Sequence, residues 1–166
     1  MALLILALTG CGSEALAPAA AERVENAELG LAIAALPEAF EPAENMGESL
    51  RLTAPDVDGG SVEITVGPLQ LGGINLVEVV KERRAAFEAE GLYYGNRELM
   101  TPNGPAYTTR GQLTEPDGPV EVTAVYSLHP DGSDRLMTVT YRYPGGGDSQ
   151  ARVGELLELL GELEAL

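Results

Sequence analysis

Apolar and polar positions alternate along most of this chain, and helical spacing interrupts the alternation only twice. Leu29, Leu31, Ile33 and Ala35 fall at period two until Pro37 stops them, which predicts a first strand. Phe40 follows between Pro37 and Pro42, in a loop where it would plug one end of the core. Leu50 and Leu52 then share one face of a second strand over 49–54. In the third, Val62, Ile64 and Val66 alternate with Ser61, Glu63 and Thr65. Asp58-Gly59-Gly60 between the last two supplies the backbone freedom that a hairpin turn needs.

After Gly72-Gly73 the period lengthens. Asn75 is a good N-cap, and Glu78 three residues on completes a capping-box pattern. Leu76, Val77, Val80 and Phe87 form an apolar stripe, Lys81, Glu82, Arg84 and Glu88 face the other way, and Gly91 stands where a terminating glycine belongs. This predicts a middle helix over about 76–90. Period two then returns in four strands, about 93–100, 106–114, 119–128 and 136–143, joined by short Pro-, Asn-, Asp- and Gly-rich turns that make antiparallel neighbours of them. Val120, Val122, Ala124, Tyr126 and Leu128 share one face, and Met137, Val139, Tyr141 and Tyr143 another. Thr123, Thr138 and Thr140 suit strands by their β-branching and imply a face only partly covered. Pro144-Gly-Gly-Gly147 ends the run. Val153, Leu156, Leu157, Leu160 and Leu163 then recur at helical spacing, predicting a C-terminal helix over about 150–166. Gly154 and Gly161 lie inside it at roughly 1 kcal/mol each, so packing must hold it.

The expected class is therefore α+β: an antiparallel sheet of about six to seven strands flanked by a middle and a C-terminal helix. At 166 residues the chain has room for one such domain, over 29–166. Residues 12–28 hold few large aliphatics and read as an acidic tether.

Charge changes the picture by exclusion. The formal net charge is −16, from 26 acids against 10 Lys and Arg, so nucleic acid and anionic lipid surfaces are repelled. The imbalance is uneven. Residues 73–113 carry 5 acids and 5 bases, and they are the one stretch able to offer a basic face.

The first eleven residues hold a separate signal. The apolar run Ala2 to Leu8 has signal-peptide length and stops at Leu8-Thr9-Gly10-Cys11, at the chain's one cysteine. This resembles the lipobox of bacterial lipoproteins, a Leu, two small residues and then Cys. The resemblance implies that residues 1–10 are cleaved as a signal peptide and that Cys11 becomes the lipid-bearing N-terminus of an acylated, cell-envelope protein facing the periplasm or exterior. Three acyl chains of that kind exceed the two signals that stable anchoring needs. Residues 1–10 contain no Lys or Arg, leaving the Met1 α-amino group as the sole positive charge of the n-region.

The order of elements also resembles the PsbP-like fold, shared by an extrinsic photosystem II subunit and DcrB-type bacterial lipoproteins. The likeness covers about 29–166. It rests on the Leu31-Ala-Ile-Ala-Ala-Leu-Pro37 opening, the helix after Gly73, the long hairpins with Gly104 and Gly118, and the C-terminal Leu-rich helix. Phe40 takes the place of the usual aromatic after the opening, and the lack of any Trp departs from many relatives. The resemblance implies a sandwich and a non-catalytic binding or assembly role.

Candidate chemistry is sparse. Ser127, His129 and Asp131 are close in sequence, but a catalytic triad is a spatial arrangement, and no Gly-x-Ser-x-Gly elbow is present; a hairpin-edge role suits His129 better. Asp56-Val57-Asp58-Gly59-Gly60 with Glu63, and Asp131 with Ser133 and Asp134, hint at cation loops but lack calcium-loop spacing and are explained by turn chemistry. Lys81, Arg83 and Arg84 form the densest basic patch, either a docking site for an acidic partner or a solvated face paired with Glu78 and Glu88. The six tyrosines either line a groove or serve as core and cross-strand pairs. No acid/base pair, nucleophile, metal cluster or cofactor motif stands out, so the expectation is no enzyme, no cofactor and no metal. The expected function is a lipid-anchored extracytoplasmic binding or assembly module with an unknown protein partner. The alternative is a small-ligand carrier or sensor with a pocket between sheet and helix.

Overall fold

A computed structural model describes residues 22–145 and 149–166. The lipobox residues Leu8, Thr9, Gly10 and Cys11 lie outside them. The fold is α+β, with a seven-stranded and a three-stranded antiparallel sheet and two helices.

The large sheet is built from β3 (Glu41–Met46), β4 (Ser49–Ala54), β5 (Gly60–Leu69), β6 (Gly91–Thr101), β7 (Gly104–Glu115), β8 (Gly118–Leu128) and β9 (Arg135–Pro144), in the order β3-β4-β5-β9-β8-β7-β6. The turns expected from composition close these hairpins. Gly104 at φ 110 and Gly118 at φ 125 adopt conformations that L side chains rarely take. Helix α1 (Leu76–Glu90) enters β6 with no intervening loop. Asn75 caps it, its Oδ1 accepting from the Val77 N–H at 3.1 Å.

One face of the sheet carries the main core. Leu50, Leu52, Val62, Ile64, Met137 and Val139 lie there fully buried under α2 (Ser149–Gly161) and the small sheet β1 (Val24–Asn26), β2 (Leu31–Ile33) and β10 (Leu163–Ala165). Phe40 closes one end, edge-on to Tyr141 at 5.7 Å. Among the described residues the opposite face is covered by α1 alone, through Leu76 and Val80 against Ala124 and Tyr126.

Three strands depart from the sequence expectation. Val24–Asn26, expected in the tether, pairs with β2, so the ordered fold begins ahead of Leu29. Asn26 directs that turn: its Oδ1 accepts the Leu29 N–H at 3.0 Å and its Nδ2 donates to Ser49 O. Glu41–Met46, expected as loop, is an edge strand with a bulge at Pro42/Glu44. The C-terminal helix ends at Gly161, and Leu163 turns into the core as part of β10, opposite Ile33. The expected first strand, around Leu31–Ile33, therefore belongs to the small sheet. Gly91 does end α1, but at φ −176, in extended rather than left-handed backbone.

Candidate functional site

Between α1 and the large sheet lies a cleft of about 280 Å³. It exists because α1 docks at three buried side chains, Leu76, Val80 and Phe87, and lies mainly over β6, β7 and β8, which leaves Thr65 of β5 and Thr138 and Thr140 of β9 along its edge. Phe87 sits over Gly111, where a Cβ would come within 2.6 Å of the ring. The floor is apolar where Leu113, Val122 and Ala124 meet Phe87, and turns polar across the register pair Thr65↔Thr138 and at Thr140. These three threonines are half-buried. Thr123, grouped with Thr138 and Thr140 by sequence, is 1% exposed and points to the other face. Tyr126 stands at the inner wall, its hydroxyl 3.3 Å from Thr109 Oγ1, and burial pushes its phenol above the ordinary range.

The basic patch divides on this helix. Lys81 pairs with Glu78 at 2.6 Å, and Arg84 pairs with Glu88 at 2.8 Å while lying over the Tyr93 ring at 5.2 Å. Arg83 has no such partner and lines the cleft. The same sorting applies to the whole chain. Arg23, Arg51, Arg142 and Arg152 pair with carboxylates, and Arg135 donates to the Leu29 and Gly67 carbonyls. Among the described residues, three cations lack a side-chain ion pair or hydrogen bond: Arg83, Arg97 and Arg110. All three come from the charge-neutral stretch, and all three line clefts.

His129 is used structurally. It is 2% exposed, and its Nε2 donates to Leu29 O at 3.0 Å, tying the β8–β9 turn to the β1–β2 turn. Nδ1 accepts the Asp131 N–H at 3.3 Å and lies 2.8 Å from Asp131 Oδ1. Ser127 Oγ is buried without a hydrogen-bond partner, so the three residues do not assemble as a triad. The tyrosines spread over both faces rather than lining one groove: Tyr107 pairs with Tyr126 beneath α1, while Tyr141 and Tyr143 pack edge-on at 5.2 Å in the main core. Among the described residues no group of three or more His, Cys, Asp or Glu is arranged to hold a metal ion, and no helix is long and apolar enough to cross a membrane.

No family model matches this chain, and no curated protein matches it. A crystal structure from Bacteroides thetaiotaomicron VPI-5482 at 1.50 Å resolution is similar in fold, with a TM-score of 0.53 at 12% identity. The match covers 88% of this chain and 48% of that one, so the chain spans about half that protein's length. At this identity the likeness shows the fold alone.

Proposed function

We propose that this chain is a non-catalytic binding module held at a membrane surface by lipid on Cys11, and that its ligand is a small molecule seated between α1 and the sheet. The observation that carries this reading is the cleft. Over β4, β5 and β9 one face of the sheet is filled, by a single cluster of nineteen buried side chains. On the other, α1 stands off an apolar floor edged by Thr65, Thr138, Thr140 and Arg83. A concave apolar surface with a few convergent polar groups is the usual form of a small-ligand site, here at the small end of the range. The lipobox resemblance supports the anchor, and the PsbP-like resemblance supports a role in binding rather than catalysis.

A protein partner is the second reading, and a different observation favours it. Leu69, Leu71 and Val77, on and beside the connection from β5 to α1, are 60%, 96% and 43% exposed.

The probe for the cleft is 8-anilinonaphthalene-1-sulfonate, which joins apolar rings to an anion. The wild type is expected to bind one equivalent with enhanced emission. Ala86→Phe, on the exposed wall of α1, should weaken binding at least tenfold without changing the unfolding midpoint. Absence of saturable binding, or equal binding by the variant, overturns the cleft reading. The anchor is tested separately by radiolabelled palmitate, which should enter the wild type and not Cys11→Ser.

A further inference from the structure

A second concavity, of about 320 Å³, lies on the opposite face of the sheet between α2 and the β6–β7 hairpin. It is independent of the α1 cleft and built on different chemistry. Arg97 and Arg110, two of the three unpartnered arginines, both line it. The register explains why they meet. Arg97 lies opposite Thr108 and Gly95 opposite Arg110, so the two arginines are diagonal neighbours on one face. Such neighbours have Cβ atoms roughly 7–8 Å apart or less, within reach of two long side chains converging on one group.

The register runs unbroken from the Thr101↔Gly104 turn pair to Gly95↔Arg110, and a bulge at Tyr94 shifts it only beyond that pair. Gly95, at φ 145, leaves the position across from Arg110 without a side chain, and a Cβ built there touches nothing within 4 Å. The wall that α2 contributes is apolar: Val153 and Leu157, one turn apart, the latter 40% exposed.

The neighbouring acids are engaged or directed elsewhere. Glu155 binds Arg152 and accepts from the Tyr141 hydroxyl. Glu158 lines the far side of α2, beside Leu36 and Pro37. Glu121, on the same face of the sheet, accepts from the Tyr94 hydroxyl at 3.4 Å. Among the described residues no carboxylate pairs with either guanidinium, which leaves two positive charges for an outside ligand.

We propose that this concavity binds a phosphate group carried on a small apolar body. Guanidinium forks match phosphate oxygens with two parallel N–H···O bonds each, and two such cations balance a phosphate dianion. Val153 and Leu157 receive the apolar body. The phosphate reaches the site either on a free phosphomonoester or as the headgroup of a lipid.

Calorimetric titration at low ionic strength with phenyl phosphate tests the site, with inorganic phosphate as the headgroup alone. The wild type should bind one equivalent of phenyl phosphate, at least fivefold more tightly than inorganic phosphate. Arg97→Gln and Arg110→Gln should each weaken binding tenfold or more, the Lys variants should retain part of it, and none should lower the ligand-free unfolding midpoint. Val153→Glu, which places a carboxylate on the apolar wall, should abolish binding without touching either arginine. Phosphatidylcholine vesicles containing phosphatidic acid distinguish the sources: flotation of the protein with them, lost in Arg97→Gln/Arg110→Gln, assigns the lipid headgroup, and no flotation alongside phenyl phosphate binding assigns the free ester. No binding of either phosphate probe by the wild type, or unchanged binding by the double variant, overturns the proposal.

Discussion

Replacing His129 by Ala separates a structural histidine from a chemical one. The ring is 2% exposed, so its removal leaves a hole that the packed hairpin and small sheet only partly close. Loss of packing at such a site costs about 1–2 kcal/mol. The hydrogen bond to Leu29 O adds about 1 kcal/mol, but the carbonyl is not orphaned, because Arg135 Nη1 still donates to it at 3.3 Å. The total is about 2–3 kcal/mol, which for a domain of this size lowers the unfolding midpoint by roughly 4–12 °C. Urea unfolding followed by far-UV circular dichroism should show a lower midpoint with an unchanged slope. His129→Gln, whose amide reaches the same carbonyl, should recover about 1 kcal/mol. The cycle with Arg135→Gln is the sharper arm. Each single variant leaves Leu29 O one donor, while the double variant buries it with none, so their costs should exceed additivity by about 1 kcal/mol. A His129→Ala protein as stable as the wild type, or strictly additive costs, would refute this account of the knot.

Gly91 and Gly154 should respond to Ala in opposite ways. A Cβ at Gly91 falls 1.9 Å from Gln112 O, a backbone atom of the paired strand, so Gly91→Ala should open the α1 end of the β6–β7 ladder at about 3 kcal/mol. Fast amide exchange near Leu113 would report it, and wild-type protection there would sink the idea. Gly154 lies exposed in α2 with nothing within 4 Å, so Gly154→Ala should stabilise by about 1 kcal/mol in thermal melts, and a lower midpoint would contradict that. The Asp131 carboxyl is held at about 2: the Ser133 hydroxyl lies close by without full hydrogen-bond geometry, the Ser133 N–H donates at 2.8 Å, and His129 adds to both. A carboxyl lowered in the folded state stabilises above its unfolded value of about 4, and that contribution fades as pH falls towards 2. Asp131→Asn should therefore be slightly less stable than the wild type at pH 7, the difference small because the group is exposed and closing between pH 4 and 2; a gap independent of pH would count against it.

Local signals carried much of the reading. The 3.6 spacing of Leu76, Val80 and Phe87, the Asn75 cap and Gly91 predict a helix over 76–90, and α1 is Leu76–Glu90. The four-strand meander was equally legible, because its alternation and turn residues are contiguous in sequence. The three-residue strands were not. Val24–Asn26 and Leu163–Ala165 hold little periodicity of their own, and their pairing comes from Leu31–Ile33, in the second case about 130 residues away. Gly91 shows the same limit in one residue. Its place at the helix end was readable from spacing, but its need for a bare Cα comes from a carbonyl of β7.

By itself, then, the sequence determined the class, the meander, the middle helix, the acidic balance and the neutral stretch that holds the free cations. The tertiary structure alone decided which face each strand turns to which helix, that α1 stands off the sheet, and which arginines find a carboxylate. Periodicity is a property of neighbours along the chain, whereas an ion pair or a cleft depends on register between distant strands. The unbroken register of the β6–β7 hairpin, from Thr101↔Gly104 to Gly95↔Arg110, is what brings Arg97 and Arg110 onto one face.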